Sequence, residues 1–166
     1  EQVEKAIFNY KTQVGIAAVN AHNSIVISGE TDAVNKIAEI FENQEIECIP
    51  LIVSHAFHSH LLEPMLEPLE AVFKESHLND PQLDLITNLT GRPAEKGEMS
   101  SASYWIKHTR NTVQYAISVE YLLDNNYRVF VEIGPHPVLS GLSTRTINKW
   151  LATHNNVKEN IIFLAT

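Results

Sequence analysis

Two short apolar runs joined by a tight turn constrain the fold of this chain more than any other feature. The runs are VGIAAVNA at residues 14–21 and SIVIS at residues 24–28, and the turn-forming letters AHN occupy residues 21–23. Runs of this kind at this spacing predict an antiparallel hairpin. Apolar residues then recur at helical spacing, which predicts a helix with its N-cap at Thr31 and its end near Gln44. The first third of the chain is therefore predicted to be a small α+β unit.

Strand and helix patterns continue to alternate along the rest of the chain. We predict buried strands at 46–53, 83–89 and 129–133, and helices that begin at residue 59 or 60, span 104–124 in one or two pieces, and cover 139–150. Pro50 indicates that the first of these strands lies at a sheet edge or ends early, because proline cannot donate to a strand ladder. The alternation predicts an α/β protein.

The composition excludes several classes of function. With 166 residues, 44% of them hydrophobic, the chain can bury one core but is too short for two ordinary domains. A formal net charge of -8 without a Lys/Arg cluster argues against a nucleic-acid partner. Cys48 is the only cysteine, which excludes an intramolecular disulfide and a cysteine-built metal site. No apolar run is long enough for a membrane span, and the N-terminus lacks a signal-peptide core, so we expect a cytoplasmic protein.

The stretch SHAFHSHLLEPM at residues 54–65 places three of the eight histidines, His55, His58 and His60, within six positions. An apolar stripe at helical spacing follows, and Pro64 suits a first helical turn, so His58 is predicted to lie near a helix N-terminus. Such a cluster can bind a metal, take part in catalysis or stabilise a helix start through hydrogen bonds. The His-Glu-x-x-His pattern of zinc proteases is absent, which disfavours a metal site.

Five segments of the chain, taken in order, resemble those of an acyltransferase domain: VNAHNSIVISGE, HAFHSHLLEPM, TNLTGRP, YWIKHTRNTVQY and VFVEIGPHPVLSGL. They resemble the malonyl-CoA:acyl-carrier-protein acyltransferases, and most closely the acyltransferase domains of modular polyketide synthases. The likeness covers almost the whole chain and corresponds to the C-terminal half of such a domain. It implies an α/β fold that combines the C-terminal part of an α/β-hydrolase-like core, residues 54–166, with a ferredoxin-like α+β subdomain, residues 14–53. Residues 1–13 are then a connecting helix or linker.

The resemblance assigns a catalytic role to His58. In the family, the last histidine of the HAFH motif is the general base that activates a serine hydroxyl, which is a weak nucleophile by itself. The family's serine lies in a Gly-His-Ser-x-Gly elbow, and this chain has no such motif, because Ser28 and Ser140 lack a glycine two positions earlier. The arginine that pairs with the malonyl carboxylate also belongs to the other half of the domain. We therefore expect this chain alone to be inactive.

Further site residues follow from the same resemblance. His55, Ala56 and Phe57 align with positions tied to the choice of extender unit, and the HAFH form resembles malonyl-selective domains. At His108 the family uses the backbone carbonyl to orient the base, and a polar side chain that lines a cleft is an equally weighted alternative. His136, in Gly-Pro-His-Pro, matches a turn near the substrate cleft, although a rigid turn that caps a strand explains it more simply.

The function implied by the resemblance is transfer of a malonyl unit from coenzyme A to the phosphopantetheine thiol of an acyl carrier protein, through an acyl-serine intermediate. Malonyl-CoA is then the substrate, carrier-bound phosphopantetheine is the acceptor, and no cofactor or metal is bound. The implied partners are the acyl carrier protein, the N-terminal half of the acyltransferase domain and the neighbouring synthase domains. An alternative of a different class is a non-catalytic α/β module that docks a carrier protein or a partner subunit.

Overall fold

The predicted hairpin is present. The computed structural model describes residues 1–154 and 160–165, in which strand β1 spans Val14–Ala21 and strand β2 spans Ser24–Gly29. The two strands pair antiparallel, with irregularities in the register that bend the ribbon.

Helix α2, Thr31–Glu42, follows β2 as predicted, but its N-cap differs from the prediction. Thr31 is already the first helical residue, and the residue before it, Glu30, has an extended backbone with φ -65° and ψ 131°. The Glu30 carboxylate does not cap the helix but accepts a hydrogen bond of 2.9 Å from Nε2 of Gln13. The N-cap prediction was wrong by one residue because the chain turns into the helix before Thr31.

A first hydrophobic core joins the hairpin to the helices on either side of it. Helix α1, Gln2–Ile7, and a short 3-10 helix, Phe8–Tyr10, precede the hairpin. The core consists of the buried residues Ile7, Val14, Ala33, Ile37 and Phe41. On the opposite face of α2, Lys36 and Glu39 are exposed, so the helix is amphipathic, with its apolar face in the core and polar side chains towards solvent.

The histidine segment leads into a pair of packed helices. A 3-10 turn, His60–Leu62, continues into α3, Glu63–Glu75, as the apolar stripe predicted. Helix α4 spans Ala102–Arg110 and packs against α3. Near the far end of α3, the ring of Phe73 stacks on that of Trp105, with 6.0 Å between the ring centroids.

The helical segment predicted at 104–124 is two helices, because α4 ends before helix α5, Tyr115–Asp124, begins. The residues between them bind the hairpin. The hydroxyl of Thr112 donates a hydrogen bond of 2.6 Å to the carbonyl of Ile16, and Val113 forms a parallel bridge to β1. The residues between the two helices therefore attach the α4–α5 region to the hairpin.

The last part of the chain forms a strand–helix–strand unit. Strand β3, Val129–Glu132, helix α6, Val138–Thr153, and strand β4, Ile162–Ala165, follow in this order, and the two strands pair parallel. The second core consists of the buried residues Val119, Leu123, Ile147 and Trp150. The strand predicted at 129–133 and the helix predicted at 139–150 are confirmed, whereas β4 was not predicted.

Two strand predictions were wrong. Residues 46–53 form no strand pairing, and Ile52, near the end of this apolar run, is fully exposed. Of residues 83–89, only Ile86 forms an isolated bridge, to Pro93. A strand needs a neighbouring backbone that satisfies its N–H and C=O groups. Within the described part of the chain, neither segment has such a neighbour along its length.

The arrangement as a whole is mixed α/β, as predicted. Helices α5 and α6 pack on each other, and both also contact β1, so the second core is joined to the hairpin. In residues 1–154 and 160–165, no helix combines the length and the apolar character that crossing a bilayer requires.

Candidate functional site

His58 has a left-handed backbone conformation, with φ 57°. L-residues meet a steric penalty in this region, and residues held there cluster at functional sites in proteins. Histidine is one of the few non-glycine residues enriched in this conformation. The turn at His58 redirects the chain from the extended segment before it into the 3-10 turn that precedes α3.

Ser59 stabilises the turn on both sides of His58. Its side chain is completely buried, and its hydroxyl donates a hydrogen bond of 2.6 Å to the carbonyl of Ala56. The same oxygen accepts a hydrogen bond of 3.2 Å from the backbone N–H of Leu61, which makes Ser59 the N-cap of the 3-10 turn. A serine before a helix is a recognisable N-cap signal, but the bond back to Ala56 could not be derived from the sequence.

The imidazole of His58 is anchored to α4. Its Nδ1 atom lies 3.1 Å from the backbone carbonyl oxygen of His108. Because a carbonyl oxygen only accepts hydrogen bonds, Nδ1 carries a proton in this contact, and in the neutral form of the ring the lone pair is then on Nε2. The carbonyl is available because it belongs to the last turn of α4, whose carbonyl groups have no partner within the helix.

The ring of His108 lies against the ring of His58. Their centroids are 5.8 Å apart at an interplanar angle of 83°. The ring of His108 also stacks on the ring of Tyr104, with 5.9 Å between the centroids. Burial lowers the pKa of His108, and the nearby charge of His58 lowers it further. Both effects favour the neutral form of the His108 imidazole.

The three residues before His58 lie on the same loop. His55 is exposed, its Nδ1 lies 2.9 Å from the hydroxyl oxygen of Ser54, and its ring contacts the ring of Phe57 edge-on at 6.0 Å. Ala56 is partly buried, and Phe57 has 49% of its surface exposed. Phe57 is therefore a half-exposed aromatic ring directly before His58 in the chain.

His136 lies in the turn after β3 and is exposed. The backbone N–H of Val138 donates a hydrogen bond of 2.9 Å to the His136 carbonyl, which tightens the turn. Among the described residues, the hydrogen bonds and ring contacts join His58 to His108, but neither of them to the side chain of His136.

Glu132, to which no role was assigned from the sequence, holds the turn that contains His136. Its carboxylate accepts hydrogen bonds from the backbone N–H groups of Leu139, at 2.9 Å, and Ser140, at 2.8 Å. The Ser140 hydroxyl donates a third bond of 2.6 Å and is the main reason that the pKa of Glu132 is lowered. These contacts lie at the N-terminus of α6, where backbone N–H groups lack helical partners. A glutamate that ends a strand just before Gly-Pro was the available sequence signal.

The three clustered histidines do not converge on one point. They lie against different neighbours: His55 against Ser54, His58 against His108, and His60 against Glu30 at 3.8 Å. In the ranges that the structure describes, 1–154 and 160–165, no three histidine, cysteine or carboxylate side chains come together in a way that could hold a metal ion.

These features define a mixed α/β protein in which a histidine lies just before the helical segment that leads into α3 and is anchored by a backbone carbonyl of α4. Comparison with known proteins gives the family. Residues 1–162 match the family described as acyl transferase domain. The chain belongs to this acyltransferase family.

Two relatives with curated descriptions are a polyketide synthase and a PKS-NRPS hybrid synthetase, and each is much longer than this chain. The chain is 43% identical over 129 residues, 77% of its length, to a phenolphthiocerol synthesis polyketide synthase of Mycobacterium marinum, and covers 6% of that protein. It is 36% identical over 160 residues, 95% of its length, to a PKS-NRPS hybrid synthetase of Aspergillus niger, and covers 9% of it. The chain thus matches only a small part of each of these proteins.

Solved acyltransferase structures share the fold. The acyltransferase domain from the second module of the salinomycin polyketide synthase superimposes with a TM-score of 0.87 at 32% identity, over 99% of this chain and 36% of that one. The malonyl CoA-acyl carrier protein transacylase of Clostridium perfringens gives a TM-score of 0.83 at 26% identity, over 99% of this chain and 49% of that one. The chain spans about a third to a half of these structures.

Proposed function

We propose that this chain is the base-bearing part of a polyketide synthase acyltransferase that loads malonyl units onto an acyl carrier protein. The observation that carries the proposal is the contact between Nδ1 of His58 and the carbonyl oxygen of His108, at 3.1 Å. This contact leaves Nε2 as the proton acceptor, which is the form that a general base requires. The family match and the names of the relatives, which include a malonyl CoA-acyl carrier protein transacylase, support the reaction class.

In the proposed mechanism, His58 acts twice. Nε2 first takes the proton of a serine hydroxyl as the serine oxygen attacks the malonyl thioester carbonyl, and the resulting imidazolium returns this proton to the departing thiol of coenzyme A. The phosphopantetheine thiol of the carrier protein then gives its proton to Nε2 and attacks the acyl-serine ester. The serine leaves and recovers the proton, so the enzyme returns to its starting state. The carbonyl of His108 keeps the ring oriented and accepts the Nδ1 hydrogen bond in both steps.

The serine must come from outside this chain, because no serine here lies in a Gly-x-Ser-x-Gly elbow. We propose that the N-terminal half of the acyltransferase domain supplies it, together with the arginine that binds the malonyl carboxylate. The finer description of the fold belongs to this proposal as well. Residues 14–53 are assigned to a ferredoxin-like subdomain and residues 54–166 to an α/β-hydrolase-like core, with residues 1–13 as the connecting segment.

Selectivity for malonyl over methylmalonyl units is assigned to the loop of His55, Ala56 and Phe57. The exposed ring of Phe57, next to His58, would fill the space that a methyl branch on the malonyl carbon needs. Exclusion of one methyl group by shape is worth only about 1–3 kcal/mol, so the preference is expected to be partial. The exposed His136 is proposed to line the same cleft through the turn held by Glu132.

The experiment that tests the function joins this chain to the serine-bearing part of an acyltransferase domain and follows covalent labelling by radiolabelled malonyl-CoA. We expect labelling of the joined protein, no labelling of the chain alone, and a loss of several orders of magnitude in His58→Ala, as for removal of the base of a catalytic triad. His60→Ala is the matched control and should label nearly normally. If His58→Ala and His60→Ala label equally well, His58 is not the base.

A specific observation also favours the second candidate, a docking module without catalysis. The outer face of the β3–β4 sheet exposes aliphatic side chains in a continuous patch, which includes Val131 and Leu164. Exposed apolar patches of this kind mark interaction surfaces. The two functions separate in the labelling experiment, because a pure docking module would bind its partner but would leave the joined protein unlabelled.

A further inference from the structure

We infer that Glu63 and Arg110 are positioning residues, which together set the distance between the His58 imidazole and the His108 carbonyl. This inference rests on the proposed function, in which His58 is the base. Oε1 of Glu63 accepts a hydrogen bond of 3.0 Å from Nε of Arg110 and also lies 3.0 Å from Nη2 of the same guanidinium, an ion-pair distance. Neither residue touches the imidazole of His58, so both would act through the two helices that carry them.

The position of the ion pair in the fold supports this role. Glu63 is the first residue of α3 and follows His58 by five positions, whereas Arg110 is the last residue of α4 and follows His108 by two. The pair therefore joins the same two chain segments as the hydrogen bond between His58 and His108. A change in the separation of these segments would act directly on that bond, whose length of 3.1 Å leaves little room for elongation.

A second contact, between aromatic rings, joins the same two helices as the ion pair. Phe73, ten residues after Glu63 on α3, stacks on Trp105 of α4. The two contacts are ten residues apart on α3, about 15 Å, and five residues apart on α4, about 7.5 Å, so the helices are attached at two separate points. Two attachment points fix the angle between the helices, whereas the stacking contact alone would allow the ends near His58 to separate. The guanidinium fork of Arg110 suits this purpose because its geometry is planar and rigid.

The chain also provides a matched ion pair that lacks this geometry. Lys74 and Glu70 lie 2.9 Å apart, one turn from each other on α3. They join two points of the same helix and hold no second element in place. Both pairs are exposed to a similar degree, so their general effect on stability should be similar and small.

The test uses the 166-residue chain with 15N-labelled histidine and reads the tautomer of each imidazole by NMR. The His58 signals are assigned by their loss in His58→Ala. In the parent chain we expect the tautomer protonated on Nδ1, as the bond to the His108 carbonyl requires. Arg110→Glu places two like charges together and should lower the ratio of the Nδ1–H to the Nε2–H form by up to about fivefold, the range of an exposed pair.

Two further variants separate positioning from general damage. The charge-swapped pair Glu63→Arg with Arg110→Glu should restore the parent tautomer ratio, and Lys74→Glu should leave it unchanged. If Arg110→Glu does not fold, Arg110→Gln removes the charge without repulsion and should show the same change in smaller amount. An unchanged His58 tautomer in the Arg110 variants, or an equal change in Lys74→Glu, would overturn the inference.

The readout also distinguishes failure of this inference from failure of the proposed function. In the joined protein, Arg110→Glu should lower kcat for acyl transfer with little change in KM, because the substrate does not contact the pair. If the tautomer responds to Arg110 but His58→Ala still transfers acyl groups, the positioning is real and the catalytic role is wrong. If His58→Ala is inactive but the tautomer ignores Arg110, the function stands and the positioning inference fails.

Discussion

Residues 1–45 and the described residues from 129 onward differ in how far their apolar side chains are covered. In the first region, Ile37 is completely buried between the hairpin and α1, and the outer face of α2 is polar. In the second region, Phe130 and Phe163 stack and pack against the core under α5 and α6. The opposite face of the same strands, however, consists of exposed aliphatic residues, Val129, Val131, Ile162 and Leu164.

This difference shows which region is structurally complete. Parallel sheets in known proteins are covered on both faces, and most sheets contain about four to six strands. The β3–β4 sheet has two strands and one covered face. The first region covers most of its apolar surface, partly between its own elements and partly against α5 and α6, whereas the second retains an exposed aliphatic face suited to another element. Under the proposed function, that element comes from the remainder of the acyltransferase domain, which would also bring the nucleophilic serine to His58.

The largest effect should come from a cavity in the closed core of the first region. We expect Ile37→Ala to lower the free energy of unfolding by about 2–5 kcal/mol, because its side chain is fully buried and the packed neighbours cannot collapse onto the space. Urea denaturation followed by circular dichroism measures this loss. Ile40→Ala, on the same helix with 39% of its surface exposed, is the control and should cost much less. Equal losses in the two variants would show that this core is not tightly packed.

The contrast between the regions also explains which parts of the fold could be predicted. The hairpin and α2 were predictable because their pattern, turn and partner lie within 30 residues of sequence. The strands predicted at 46–53 and 83–89 have strand-like composition, but they find no continuous neighbour within the described residues. Composition shows that a segment can form a strand, whereas pairing depends on a second segment that local reasoning does not identify.

In the candidate site, too, local features could be predicted from the sequence and long-range contacts could not. Its position at a helix start followed from Pro64 and the apolar stripe, which are local signals. The approach of His108 to His58 entered only through the family resemblance, because these residues are 50 positions apart. The contact between Glu63 and Arg110 spans 47 positions and had no sequence signal that singled it out. Long-range polar contacts depend on how whole helices pack, so local sequence patterns do not predict them.

A smaller effect should appear when the second region is exposed to acid. The pKa of Glu132 is lowered, chiefly by the Ser140 hydroxyl and also by backbone N–H groups at the start of α6. A carboxyl group whose folded pKa lies below its unfolded pKa contributes stability fully above the unfolded value, and this contribution is lost as the pH falls through the folded value. We therefore expect the second region to weaken as the pH falls below about 4.5, the usual pKa range of glutamate.

Hydrogen exchange measured residue by residue can localise this acid effect. As the pH is lowered, protection of the backbone N–H of Leu123, in the second core, should decrease more steeply in the parent chain than in Glu132→Gln. The glutamine side chain of the variant does not titrate. The difference between the two proteins is the relevant quantity, because the pKa of Asp80 is also lowered and adds its own acid dependence. Parallel pH curves for the parent and the variant would show that Glu132 does not couple α6 to the strand.

The smallest effect is expected for Val131→Thr, and this small effect tests the comparison most directly. Val131 is 54% exposed on the outer face of β3, and threonine retains the β-branched shape that suits a strand. In the chain alone, the variant should therefore change the free energy of unfolding by no more than about 0.5 kcal/mol.

The same substitution should become costly once the outer face is covered. In the protein joined to the serine-bearing part of an acyltransferase domain, the threonine hydroxyl would be buried against apolar atoms, which typically costs about 1–3 kcal/mol when it lacks a hydrogen-bond partner. The comparison therefore rests on the difference between two denaturation experiments with one variant. Phe8→Ser is the control, since Phe8 is 69% exposed on the first region and should respond equally in both proteins. If Val131→Thr already destabilises the chain alone by more than about 1 kcal/mol, and more so at higher protein concentration, a second copy of the chain covers this face, because only association makes stability depend on concentration.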